Sequence, residues 1–167
     1  RMAATRLPGK PLLKINNLSI ISHVFKRAEE ANIGEVVVAT EDQEILADVL
    51  KNGGKAILTS SDHKTGTDRV FEAYRELNIK NIDYIINLQG DEPDISKDDI
   101  IKLNNLMINN ESEIGTLAAK IQSVKILNDT NVVKVTTEKK LEENNFSRAL
   151  SFTRKNLSVD KKNIYHH

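Results

Sequence analysis

Glu35-Val36-Val37-Val38-Ala39-Thr40 is a short, nearly unbroken apolar run, the pattern of a strand covered on both faces. Helical patterns flank it. Upstream, Ile20, Ile21, Val24, Phe25 and Ala28 fall at helical spacing over residues 19–31, with Ser19 placed to cap the start and Gly34 just past the end. Downstream, Ile45, Leu46, Val49 and Leu50 form an apolar face behind Asp42, and Gly53-Gly54 closes that helix. Residues 55–59 then read as a strand. Gly66 or Thr67 opens a helix predicted to turn Val70, Phe71, Tyr74 and Leu77 inward, and residues 83–89 (DYIINLQ) read as a third strand. Ser96 with Asp99 makes a capping-box pattern ahead of Ile100, Ile101, Leu103, Leu106 and Met107.

Strand and helix alternate through the first hundred residues, which predicts an α/β fold: a mostly parallel, Rossmann-like sheet with helices on both faces. Residues 114–122, 132–137 and 146–152 read as a smaller, strand-rich part of mixed direction. The chain suits one well-cored domain, with the division between the two parts near residue 112. Binding sites in such sheets lie at the carboxyl ends of the strands, so the loops after Thr40, Thr59 and Gln89 are the places for chemistry.

Composition narrows the partners. Lys plus Arg and Asp plus Glu both number 24, so no global field attracts nucleic acid or an anionic membrane, and any anion site must be local. The chain has no cysteine, which removes disulfide and thiol chemistry and makes the cytoplasm the default expectation. No apolar run approaches the roughly 20 residues of a membrane span.

The local cations stand in Arg1-Met2-Ala3-Ala4-Thr5-Arg6-Leu7-Pro8-Gly9-Lys10-Pro11. The prolines keep this stretch out of helix interiors and central strands. Small residues and Gly9 let the backbone approach a bound group and offer it amide donors. Arg1, Arg6 and Lys10 would then supply charge to an anion such as a triphosphate; a solvated basic loop is the plainer alternative. Asp91-Glu92-Pro93 follows an apolar run ending in Gln89-Gly90. A carboxylate at a strand end beside a glycine suits a hard cation such as Mg²⁺, and a solvated turn is its plainer alternative. His63 has no Ser or Cys partner suggesting a nucleophilic triad, nor any zinc-like spacing. Asp68 can cap the helix after it. Arg148 offers a guanidinium able to grip a carboxylate, or an ordinary surface ion pair.

The order of these residues resembles that of the sugar-activating cytidylyltransferases. The resemblance runs through Arg1 to Pro11, Thr59-Ser60-Ser61-Asp62-His63-Lys64-Thr65-Gly66-Thr67-Asp68-Arg69, Asn87-Leu88-Gln89-Gly90-Asp91-Glu92-Pro93, Asn131-Val132-Val133-Lys134-Val135 and Phe146-Ser147-Arg148-Ala149. It implies a fold of the nucleotide-diphospho-sugar transferase type, and coupling of CTP to 3-deoxy-D-manno-octulosonate (Kdo), giving CMP-Kdo and pyrophosphate for lipopolysaccharide synthesis. It implies catalytic roles for Arg1, Lys10 and Asp91, with Mg²⁺ on Asp91. CTP would meet Arg1, Arg6, Lys10, Thr67 and Arg69; the sugar would meet His63, Gln89, Arg148 and His167. Residues up to about 112 would bind nucleotide, and 113–167 would bind sugar. Such enzymes are commonly homodimers. A sister enzyme for a sialic or pseudaminic acid, or a catalytically silent nucleotide-binding module, are the alternatives.

The resemblance also places an apolar strand before Arg1 and a second metal-binding Asp beyond His167, so the working protein is expected to be longer. Burying the five or six aliphatic residues of such a strand is worth on the order of 10 kcal/mol, comparable to a whole domain's net stability.

Overall fold

Val38–Thr40 forms a strand of the computed structural model, and the chain around it builds the first of two units, Arg1–Lys97 and Asp98–His167. The structure describes residues 7–142, 145–157 and 162–167. In the first unit a single 3-10 turn, Lys10–Leu12, leads into the hairpin β1 (Lys14–Ile15) and β2 (Leu18–Ser19). Asn16 and Asn17 join them, both at positive φ (49° and 68°), the conformation a two-residue primed turn demands and asparagine tolerates. Helix α1 (Ile20–Ala31) starts where expected: the Ser19 hydroxyl accepts the Ser22 N–H. Both serines also hydrogen-bond Asp48 of α2 (Gln43–Lys51). Asn32 at φ 50°, rather than Gly34, closes α1.

Strands β3 (Val38–Thr40) and β4 (Ala56–Leu58) pair in parallel, Ala39 opposite Ile57. The core beneath them joins Ile21 and Phe25 of α1 to Ile45 and Val49 of α2, with Leu12, Val36, Val38 and Ala56 packed against it. Each such buried side chain contributes about 1.5–3 kcal/mol. Leu50, expected on this face, is exposed.

Two expectations for this unit are corrected. Residues 83–89 form no strand. A strand exists through its ladder, and among the described residues none lies beside this segment, so Ile82, Ile85 and Ile86 stay partly exposed. The parallel sheet is therefore the β3–β4 pair alone among the described residues. Helix α3 (Gly66–Leu77) forms as predicted, with Val70, Tyr74 and Leu77 half-buried, but its face is rotated toward Arg69 and Ala73, which are its buried residues, and Phe71 is 57% exposed. Its start is a capping box between Thr65 and Asp68, so Asp68 does cap this helix, from inside its first turn.

The second unit carries the body of α4 (Lys97–Asn109), the short α5 (Val124–Asn128) and a four-stranded sheet ordered β5 (Ala119–Lys120), β8 (Ile164–His166), β6 (Lys134–Thr137), β7 (Ala149–Thr153). Every pairing in it is antiparallel, which replaces the mixed direction expected, and a bulge between Thr136 and Thr137 shifts the β6–β7 register. Lys134 on the central strand β6 is fully buried, and its ammonium donates to the carbonyls of Asp129 (2.8 Å), Val132 (3.0 Å) and Arg154 (3.1 Å). Tyr165 of β8 is also buried, its hydroxyl accepting the Leu141 N–H.

Candidate active site

Gly9 stands at φ 70° before the 3-10 turn, a left-handed geometry that costs glycine little. Pro11, buried, fixes the turn that follows, and Leu12 and Leu13 donate their N–H groups back to the carbonyls of Gly9 and Lys10. Lys10 is thereby held at a bend with its side chain one-third exposed. The acidic turn 89–92 is set against α1: a Cβ on Gly90 would come 2.7 Å from the Ile21 δ-methyl. These two local structures meet. Lys10 Nζ donates to Asp91 Oδ2 at 2.9 Å, across 81 positions of sequence.

The pair cannot be explained by stability. An ion pair with its carboxylate half exposed (52%) contributes about 0–1 kcal/mol. What the geometry achieves is to hold an ammonium and a carboxylate together, open to solvent, where one can meet an anion and the other a cation. Among the described residues no cluster of three or more His, Cys, Asp or Glu is arranged around a metal. Asp91 nonetheless fits a cation chemically: it is a hard oxygen donor that already holds a positive group, and Mg²⁺ is commonly bound by one or two carboxylates with phosphates and water completing its shell.

Arg1 and Arg6 lie outside the described residues. Thr67 is exposed in the first turn of α3. Arg69, expected to touch cytidine, is buried and already committed: its guanidinium donates to Thr59 Oγ1 (2.6 Å) and the Ser60 carbonyl (3.1 Å) and pairs with Glu41. His63 is half-buried, with Nε2 hydrogen-bonded to Glu72. Glu72 also accepts the Ser60 N–H, and these two hydrogen bonds, that from His63 first, hold its carboxyl below the ordinary value. Gln89 is exposed just before the Asp91 turn, and its carbonyl accepts the Glu92 N–H. In the second unit Arg148 is exposed, its carbonyl accepting the Glu138 N–H. His167 bonds Thr116 Oγ1 at 3.0 Å and meets the Phe152 ring edge-on. The structure thus brings Lys10 to Asp91, and His63 to a glutamate that the sequence did not single out. The signal for Glu72 was its spacing of three from Arg69, which puts both side chains on one face of α3.

Residues 1–166 match the family profile described as cytidylyltransferase. This chain belongs to the cytidylyltransferase family. Among curated cytidylyltransferases it is similar to the 3-deoxy-manno-octulosonate cytidylyltransferases of Nitrobacter hamburgensis (46% identical, 100% of this chain and 64% of the relative), Nitrobacter winogradskyi (44%, 100% and 65%) and Thermodesulfovibrio yellowstonii (44%, 96% and 63%). The chain therefore spans just under two thirds of the length of these relatives. The solved structure of CMP:2-keto-3-deoxy-manno-octonic acid synthetase complexed with CTP is 35% identical and superposes with a TM-score of 0.84, over 99% of this chain and 68% of that one. The mixed α/β fold is the one that structure carries. No helix among the described residues is long and apolar enough to cross a membrane.

Proposed function

We propose that the protein containing this chain couples CTP to Kdo, releasing pyrophosphate and forming CMP-Kdo for lipopolysaccharide synthesis in the cytoplasm. The observation that carries it is the open Lys10–Asp91 pair in a chain whose curated relatives bear that activity in their names. In the reaction the anomeric hydroxyl of the sugar attacks the α-phosphorus of CTP, the bond from that phosphorus to the α,β-bridging oxygen breaks, the oxygen leaves with pyrophosphate, and the hydroxyl proton passes to water. Lys10, with Arg1 and Arg6, offsets negative charge building on the departing pyrophosphate. Thr67 and Arg69 serve the CTP side. His63, Gln89, Arg148 and His167 serve the sugar acid.

Asp91 would hold Mg²⁺, which when bound neutralises triphosphate oxygens and makes the α-phosphorus a better electrophile. The work left to the protein is positioning and electrostatics, sufficient for phosphoryl-type transfer without a covalent enzyme intermediate. We also place β3 and β4 in a mostly parallel, doubly wound sheet of the whole protein, and expect a homodimer.

Pyrophosphate release by the full-length gene product, with CTP, MgCl₂ and a panel of sugar acids, tests this reading. Release with Kdo, matched by CMP-Kdo formed, is the expected result. Turnover of a sialic or pseudaminic acid in preference to Kdo, or of none, would overturn it.

A further inference from the structure

Helix α3 turns a charged face toward the loop after β4 and leaves Phe71 in solvent. Glu72 accepts the Ser60 N–H at 3.1 and 3.2 Å through its two oxygens and binds His63 Nε2. Arg69, three positions earlier on the same face, holds Thr59 and the Ser60 carbonyl. A loop whose own residues are mostly exposed is thus fastened at several points by two side chains of one helix. Such inward positions would bury apolar groups if packing alone were served. Because an ionised glutamate only accepts, Nε2 of His63 must carry the proton, so Glu72 fixes both the tautomer and the direction of the ring. His63 and Glu72 line one cavity of about 530 Å³ with Ser60, Asp68, Phe71, Arg75 and Glu76.

We infer that Glu72 is a positioning residue for the sugar acid, acting through His63: it holds the 59–63 loop so that the imidazole meets the substrate in one orientation. The inference rests on the proposed role of His63 in binding the sugar. Removing a charge-assisted anchor of this kind costs about tenfold or more in the equilibrium it supports.

The test compares Glu72→Ala, Glu72→Gln, His63→Ala and the double variant in the full-length enzyme, measuring KM for Kdo and for CTP, kcat, and amide exchange over residues 59–64. Glu72→Ala should raise KM for Kdo about tenfold or more, leave KM for CTP within about twofold, and speed exchange in the loop. Glu72→Gln, which keeps an acceptor oxygen, should recover part of the loss. In the His63→Ala background, Glu72→Ala should add nothing further, since the two act as one unit. An unchanged KM for Kdo, additive effects of the two substitutions, or equal loss toward both substrates would overturn the inference. If the parent enzyme does not use Kdo, the proposed function fails separately. The exchange arm then still decides the anchoring, and unchanged loop protection in Glu72→Ala overturns it.

Discussion

Lys134→Met removes the ammonium that ties three backbone carbonyls together beneath β6. Its three hydrogen bonds, at 2.8, 3.0 and 3.1 Å in a site closed to solvent, are each worth about 1.5–3 kcal/mol as bonds from a charged donor. Methionine recovers several kcal/mol by not burying a charge, and its thioether fills much the same volume. The difference is a net loss of about 2–4 kcal/mol, a large share of the roughly 5–15 kcal/mol a domain possesses. At about 2–4 °C per kcal/mol for a protein of this size, the melting temperature should fall by roughly 5–15 °C. Urea unfolding followed by circular dichroism should show a lower midpoint at unchanged slope. The exposed Lys140→Met serves as control and should stay within about 0.5 kcal/mol of the parent. If Lys134→Met costs no more than that control, the lysine is not a structural tie and the account of the second unit is wrong.

Acid should loosen the β4 loop and the turn after α5. Glu72 is held below its ordinary 4.5 by His63 and the Ser60 N–H, and Asp129 below its ordinary 3.8 by the N–H and then the side-chain amide of Asn131. A depressed folded pKa stabilises fully above the ordinary value, and that contribution is lost as pH falls through the folded one. The stability gap between parent and Glu72→Gln should therefore be flat from neutral pH down to about 5 and close below about 4.5; a gap that widens toward acid would contradict the assignment. For Asp91→Asn, activity should require far more Mg²⁺ than in the parent, read as a rightward shift of the metal titration. Superimposable titration curves would remove Asp91 from the metal site.

Much of the first unit was legible because its determinants are local. Ser19 caps α1 through a bond to its own first turn, and the apolar spacing before residue 32 needs no distant partner to be read. Where a partner decides, the pattern misled. Residues 83–89 have strand-like composition, yet a strand requires a neighbour to pair with. Phe71 sits at a sound helical spacing, but spacing leaves the phase open, and the phase was set by Arg69 and Glu72 turning inward to serve a loop. The Asn16-Asn17 hairpin was readable from its turn residues and went unread. In β6, nothing in the local pattern marks Lys134 as a buried residue; three carbonyls that only the fold brings together bury it. In the site, Lys10 and Asp91 were each visible through their local chemistry, but only the fold brings them to 2.9 Å. Glu41 was not visible, because a glutamate after a strand ordinarily faces water, and Glu72, in the middle of α3, showed only through its spacing from Arg69.

The most direct test of the Lys10–Asp91 site is the single-turnover rate of pyrophosphate release by Lys10→Ala, measured in the full-length enzyme beside its urea midpoint. The rate should fall by about 10² or more while stability shifts by less than about 0.5 kcal/mol, because an exposed pair supports chemistry rather than folding. A rate equal to that of the parent would contradict the account.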